Sequence, residues 1–379
     1  MIVLLLAVIL TAVSVWGVLF GSYYVDGEVY ESNYSAMVRD RAYARALAGR
    51  EIDSKLIMEA AEAYAHIPEK DSYIDTAEYQ TLARPYSEIY NISRAIWRFN
   101  MEDFQALTGE QADQFYAARD GRQVQFVEET GMSGQAKEKV LALDAQIETP
   151  FIFSYTEGYT QFFTLMYTIG LMSAFVMAIC IAPLFSGEYS SGTDQIILAS
   201  KHGKRRGIQA KLFTGFSFAA AISLVLTVTG YVLSMFAFGF DGGNAPLQLY
   251  YPMSPYPLTM GQTALLLSVC TFFACLLTAA ITMLLSAKFK SPFGVIILIS
   301  PLLIVPMFIS ISEANTVLYN LFHLLPANMM EFGSVTSGIQ YELFGLVVKP
   351  YVFLPVFAAA VCVLLTPFAY RSFKNHQII

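Results

Sequence analysis

The sequence predicts an all-α integral membrane protein, with six transmembrane helices and a mainly helical extracellular domain between the first two. Three observations carry this reading. Hydrophobic residues make up 55% of the chain and charged residues 14%, with a mean hydropathy of +0.50, a balance foreign to soluble domains. Six runs are long and apolar enough for a hydrocarbon core, which takes roughly 20 helical residues. Lys and Arg gather in short loops that all fall on one side of those runs.

The six runs cover residues 2–23, 162–185, 212–240, 259–287, 292–311 and 351–370. The last five contain no Asp, Glu, Lys or Arg. Ionisable groups at bilayer depth are costly and mark proton or ion pathways. Their absence argues against a carrier driven by an ion gradient, so energy for transport comes from elsewhere.

Lys201, Lys204, Arg205, Arg206 and Lys211 follow the second run, Lys288 and Lys290 join the fourth to the fifth, and Arg371 and Lys374 follow the sixth. By the positive-inside rule that side is cytoplasmic, and an even number of spans puts both termini there. Residues 25–158, on the other side, hold 24 acids and 13 bases, as suits an external polar domain. No basic residue precedes the first run. A cleaved signal peptide, with Ala12 and Ser14 near a small-residue site, competes with an uncleaved anchor; the run exceeds a usual signal-peptide core of roughly 7 to 15 residues, which favours the anchor.

In order, the chain divides into a transmembrane helix (1–24), an extracellular helical domain (25–158), and a five-helix transmembrane domain (159–379) with a cytoplasmic arm at 186–211 and extracellular interfacial helices at 312–350. Residues 24–48 are expected to continue the first helix until Gly49 breaks it. Ile52, Leu56, Ala60 and Tyr64 recur every fourth position among charged residues, the pattern of an amphipathic helix, which Pro68 ends. Residues 73–97 read as helix interrupted at Pro85. Thr108 and Gln111 have capping-box spacing, and Ser133 is placed to cap a helix from about residue 135. Asn33 and Asn91 lie in N-x-Ser triplets. Aromatics around 150–163 suit the headgroup level. The apolar stretch at 317–325, ended by Pro326, is too short to span and suits helices lying in the interface.

Chemistry-bearing patterns are few. Cys180, Cys270, Cys275 and Cys362 all fall in apolar runs, which predicts neither disulfides nor a thiolate metal site. His66, His202, His323 and His376 lie far apart in different loops. No HExxH pattern and no G-x-x-x-x-G-K-Ser/Thr phosphate loop occurs. The chain is therefore read as a non-enzyme, with no catalytic, cofactor-binding or metal residues.

The exception is the arm, FSGEYSSGTDQIILASKHGKRRGIQAK. Glu188 is expected at the head of a short amphipathic helix, where a carboxylate suits the helix dipole. The apolar turn 196–198 is suited to a groove, and Lys201, Lys204, Arg205 and Arg206 to acids on a partner. The competing reading is a plain basic loop touching anionic headgroups.

This arm resembles that of the permease subunit of an ABC type-2 exporter: an acid after the second span, Gly-Thr, a hydrophobic turn, a basic cluster and a Lys opening the third span. Here those positions are Glu188, Gly192 with Thr193, residues 196–198, Lys204 to Arg206, and Lys211. The resemblance extends to six spans, cytoplasmic ends and short helices between the last two spans. It implies a coupling helix inserted into a separate ATPase subunit. Glu188, Gly192, Thr193, Ile197, Lys201, Lys204, Arg205, Arg206 and Lys211 are then the coupling residues, and ATP is bound by the partner, with no cofactor in this chain. The partners implied are ABC ATPase subunits, a second copy or a homologous permease, and the lipid bilayer, without nucleic acid. The location implied is a bacterial plasma membrane. The chain departs from the family in lacking a basic amphipathic segment before the first span and in its large external insertion, which resembles a Gram-positive branch handling peptides, antibiotics or ions. A receptor or resistance protein whose extracellular domain binds a peptide or cell-envelope ligand is the alternative.

Overall fold

The computed structural model describes residues 2–68 and 73–375; of the four histidines, His376 lies outside that set. The chain is an all-α integral membrane protein. Five helices have the length and composition to cross a bilayer: Ile2–Leu19, Glu157–Ser191, Gly203–Phe238, Met260–Lys288 and Pro350–Lys374. The remaining apolar run is shorter than expected. It is helical over Pro292–Ile304 and ends in a 3-10 turn at Val305–Phe308. Pro301 and Pro306 remove backbone donors and tighten the coil, so its length is about 27 Å at roughly 1.5 Å per α residue and 2.0 Å per 3-10 residue.

The residues form two compact units. One contains residues 1–12, 163–232 and 265–379; the other contains 13–162 and 233–264.

In the first unit, Ala7, Ile169, Ile222 and Leu226 form a buried cluster flanked by Leu4, Met172 and Phe218. Hydroxyls within the helices bond the carbonyl one turn back: Ser173 to Ile169, Thr278 to Ala274, Thr282 to Thr278, Thr366 to Cys362. With little water nearby, that local bond satisfies an otherwise costly group. The four cysteines carry free thiols. Residues 312–350 include a helix at Thr316–Phe322 and short turns at Asn328–Met330 and Phe332–Val335. They also form an antiparallel hairpin, Tyr341–Leu343 with Leu346–Val348, that the sequence reading lacked.

In the second unit, the first helix does not run on to Gly49. It stops at Leu19, and a hairpin of Ser22–Val25 and Glu28–Ser32 intervenes before the helix Asn33–Leu47. The reversing residues Asp26 and Gly27 have φ of 49° and 84°, the positive values that a two-residue hairpin turn needs. The amphipathic helix forms as expected over Ser54–Ala65. Ile52, Leu56, Ala60 and Tyr64 are all buried, with Tyr64 stacked on Tyr90 at 4.6 Å. Thr108 and Gln111 make the reciprocal capping box, and the Ser133 hydroxyl caps Gly134–Asp144.

Two buried arginines tie this unit together. Arg119, 1% exposed, pairs with Asp144 at 2.7 Å and donates to the carbonyls of Pro252 and Ser254. It thereby fastens the 233–264 segment to the helix Phe115–Glu129. Arg84 engages both oxygens of Asp40, Glu31 Oε1, Gln80 Oε1 and the Ala36 carbonyl. A buried guanidinium is tolerable only when its donors are used in this way.

Candidate functional site: the basic arm

The Glu157–Ile181 helix meets Pro183, which has no N–H and starts a new helix, Pro183–Ser191. The amides at the head of a helix lack intrahelical partners. Here Phe185 N and Ser186 N donate to Ser286 Oγ at 3.0 and 3.1 Å, while that hydroxyl donates to the Ala182 carbonyl at 2.6 Å. A serine from the Met260–Lys288 helix thus caps a helix 100 residues away in sequence. Tyr189 Oη adds a second tie to the same helix, donating to the Ala287 carbonyl.

Glu188 is not at the head of the short amphipathic helix, where the sequence places it. It lies in the C-terminal half of Pro183–Ser191, because the second apolar helix continues unbroken in direction for two turns past Pro183. Its carboxylate is ion-paired with Lys211. Lys211 Nζ also donates to the Leu184 carbonyl and sits over the rings of Phe185 and Phe373 at 5.5 and 5.9 Å. The pair is about one-fifth exposed, at 16% for Glu188 and 23% for Lys211. It fastens the start of the Ile208–Phe238 helix to the end of Pro183–Ser191. The spacing of 23 residues gives no sign of this contact in the sequence.

Between these anchors the arm is compact. Gly192 ends the first helix with φ of 69°, a left-handed cap that favours glycine. Thr193 shares a hydroxyl hydrogen bond with Ser191, and the short amphipathic helix expected here is Asp194–Ala199, headed by Asp194. The dipole partner that the sequence reading sought in Glu188 is therefore Asp194, which occupies the first turn. Leu198 points inward, Ile197 is half-buried and Ile196 is 73% exposed. Gly203 packs so closely that a Cβ there would stand 1.7 Å from the Ile197 carbonyl oxygen. No residue with a side chain fits that contact, so Gly203 sets how the basic turn folds back on Asp194–Ala199.

Lys201, Lys204, Arg205 and Arg206 are exposed, and no ion pair of theirs is present among the described residues. Residues Gly203–Gly207 form a π turn that leads directly into Ile208–Phe238, and Tyr370 Oη donates to the Lys204 carbonyl. The arm therefore presents an exposed isoleucine beside four free cations, on a base pinned by Ser286, the Glu188–Lys211 pair and Tyr370. Each end of the arm is continuous with a long apolar helix, Glu157–Ser191 on one side and Gly203–Phe238 on the other. Among the described residues no group of three or more His, Cys, Asp or Glu side chains is placed to hold a metal ion.

Among curated proteins and among solved structures, none matches this chain. A family model described as ABC-2 family transporter protein matches residues 48–365. That match covers most of the chain, and the protein belongs to this family as a membrane component of an ABC type-2 transporter.

Proposed function

We propose that this chain is the permease subunit of an ATP-driven exporter, forming the translocation path with a second copy or a homologous permease. A separate ATPase subunit docks on residues 186–211. The observation that carries the reading is the arm itself: exposed Ile196 and four free cations on a base locked to two long apolar helices. Apolar contact inside a charged rim is how short helices seat in a partner's groove.

In this mechanism ATP-driven closure of the ATPase pair moves the docking helix, and the Glu188–Lys211 lock carries the motion into the helices Glu157–Ser191 and Gly203–Phe238. The outcome is a population shift of the permease between conformations, biased by ATP. The helix Pro292–Phe308 completes a six-span bundle; thinning of the bilayer around it offsets its modest length. The basic loops face the cytoplasm of a bacterial cell, both termini lie there, and residues 25–158 lie outside.

The test is reconstitution with the cognate ATPase. Reversing charge at Lys204, Arg205 and Arg206 to Glu is expected to weaken assembly and uncouple ATP hydrolysis from flux. Unchanged assembly and transport in the triple variant would remove the assignment. The receptor alternative predicts ligand binding with no ATP-dependent flux.

A further inference from the structure

The second unit holds a partly open cavity of about 680 Å³, within the roughly 300–1,000 Å³ typical of small-molecule sites. Its walls come from the hairpin and helices of residues 18–44, from the segment 79–95, from residues 153–161 and from the 233–264 segment. Three carboxylates line it, Asp40, Glu88 and Glu157, against one cation, Arg84.

That cation is already committed. Arg84 spends its donors on Asp40, Glu31, Gln80 and the Ala36 carbonyl, so it neutralises Asp40 and leaves the other two acids unmatched. Glu157 accepts one hydrogen bond, from Gln161 Nε2 at 2.8 Å. Glu88 accepts none from any described residue. Glu88 lines the cavity and keeps an exposed surface, yet enough protein surrounds it that desolvation, with the nearby charges of Glu157 and Asp40, pushes its carboxyl up to about 7. Tyr43, Tyr155 and Tyr250 line the rest of the wall together with apolar side chains such as Met37, Phe153 and Leu249, the Tyr155 ring being already covered by the Arg41 guanidinium at 5.6 Å.

Two unmatched carboxylates on a tyrosine-rich wall define the chemistry of the occupant. An ammonium or guanidinium head satisfies the acids, and ring faces attract cations as well as packing apolar groups. A metal ion suits the site poorly, because the three carboxylates are not grouped as ligands. We propose that this cavity binds an organic cation, its charged head held by Glu88 and Glu157 and its apolar or aromatic body seated against the tyrosines. The site stands independently of the ATPase reading, since it is built entirely from residues of the second unit.

The test uses the full-length chain alone, in nanodiscs of phosphatidylcholine, titrated calorimetrically with tryptamine, with agmatine, and with tryptophol as the neutral isostere of tryptamine. Saturable binding of tryptamine is expected, at least about tenfold tighter than tryptophol, a ratio worth about 1.4 kcal/mol. Glu88→Gln and Glu157→Gln should each weaken tryptamine about tenfold and leave tryptophol unchanged. Ala95→Phe, which places a ring at the cavity wall without altering charge, should abolish binding, and serves if a carboxylate variant fails to fold. Equal affinity for tryptophol, insensitivity to both carboxylate variants, or no saturable binding of either cation at millimolar concentration would each overturn the proposal.

Discussion

A double-mutant cycle on Glu188 and Lys211 tests whether the base of the arm is a lock. Removing one partner of a fully buried pair costs about 3–5 kcal/mol, while exposed pairs are worth about 0–1 kcal/mol. With 16% and 23% of the two side chains exposed, Glu188→Gln is expected to cost about 2 kcal/mol, nearer the middle of that range. Lys211→Met keeps the stem packed but also loses the Leu184 carbonyl bond and the contacts over Phe185 and Phe373. Its expected cost is about 3 kcal/mol, counting about 1 kcal/mol for the hydrogen bond and the ring contacts together. The double variant should then cost about 1.5 kcal/mol less than the sum of the singles. Reversible unfolding in mixed micelles, titrated with a denaturing detergent, supplies the four free energies. If the singles add to within about 0.5 kcal/mol, the two charges do not act on each other and the lock is refuted.

Three further outcomes follow from the second unit. Arg119→Met should destabilise it by about 3–5 kcal/mol, because it strands the buried Asp144 carboxylate and frees the carbonyls of Pro252 and Ser254; hydrogen exchange of the 233–264 segment should rise, and unchanged exchange there would refute the fastening role. For Glu88, a carboxyl raised from 4.5 to about 7 binds more protons folded than unfolded between those values, so its contribution to stability is lost as pH rises from 4.5 through about 7. Thermal midpoints across that window should fall in the wild type and fall less in Glu88→Gln. Tryptamine, still protonated there, should bind more tightly on the alkaline side, as Glu88 ionises with Asp40 and Glu157 facing it and Arg84 already committed. A pH-independent affinity would separate Glu88 from the site.

Much of the fold is legible wherever information is local. The apolar runs announce the long helices, Ile52, Leu56, Ala60 and Tyr64 show their buried face by spacing alone, and Thr108, Gln111 and Ser133 mark helix starts through contacts three residues long. The first hairpin also has a local signal, Asp26-Gly27 between Tyr24, Val25, Val29 and Tyr30, although the aromatic and alanine content of residues 24–48 favours helix. The second hairpin turns at Phe344-Gly345, with φ of 50° and 81°, and a phenylalanine in that conformation is rare enough that composition gives no warning. Pro301 and Pro306 carried the shortening of the fifth apolar run in plain view.

For the arm, composition marks out the stretch but not its internal contacts. Exposed charge and the Gly-Thr pair are sequence features, whereas the Ser286 cap, the Glu188–Lys211 pair and the Gly203 contact join residues that meet only in three dimensions. Glu188 falls short of the short helix's head because a new helix starts at Pro183 and runs to Ser191, where proline at the first helical position is well tolerated. The cavity was illegible because its acids come from positions 40, 88 and 157, each unremarkable in its own segment.

The claim that the arm receives the ATPase is tested most directly by site-specific photocrosslinking from Ile196, the exposed apolar residue at its tip, in membranes containing the cognate ATPase. A crosslink to the ATPase from residue 196, absent from a control position at the exposed apolar Val363 of the Pro350–Lys374 helix, is the predicted result. Adducts from residue 196 to lipid alone, with the assembled transporter active, would contradict it.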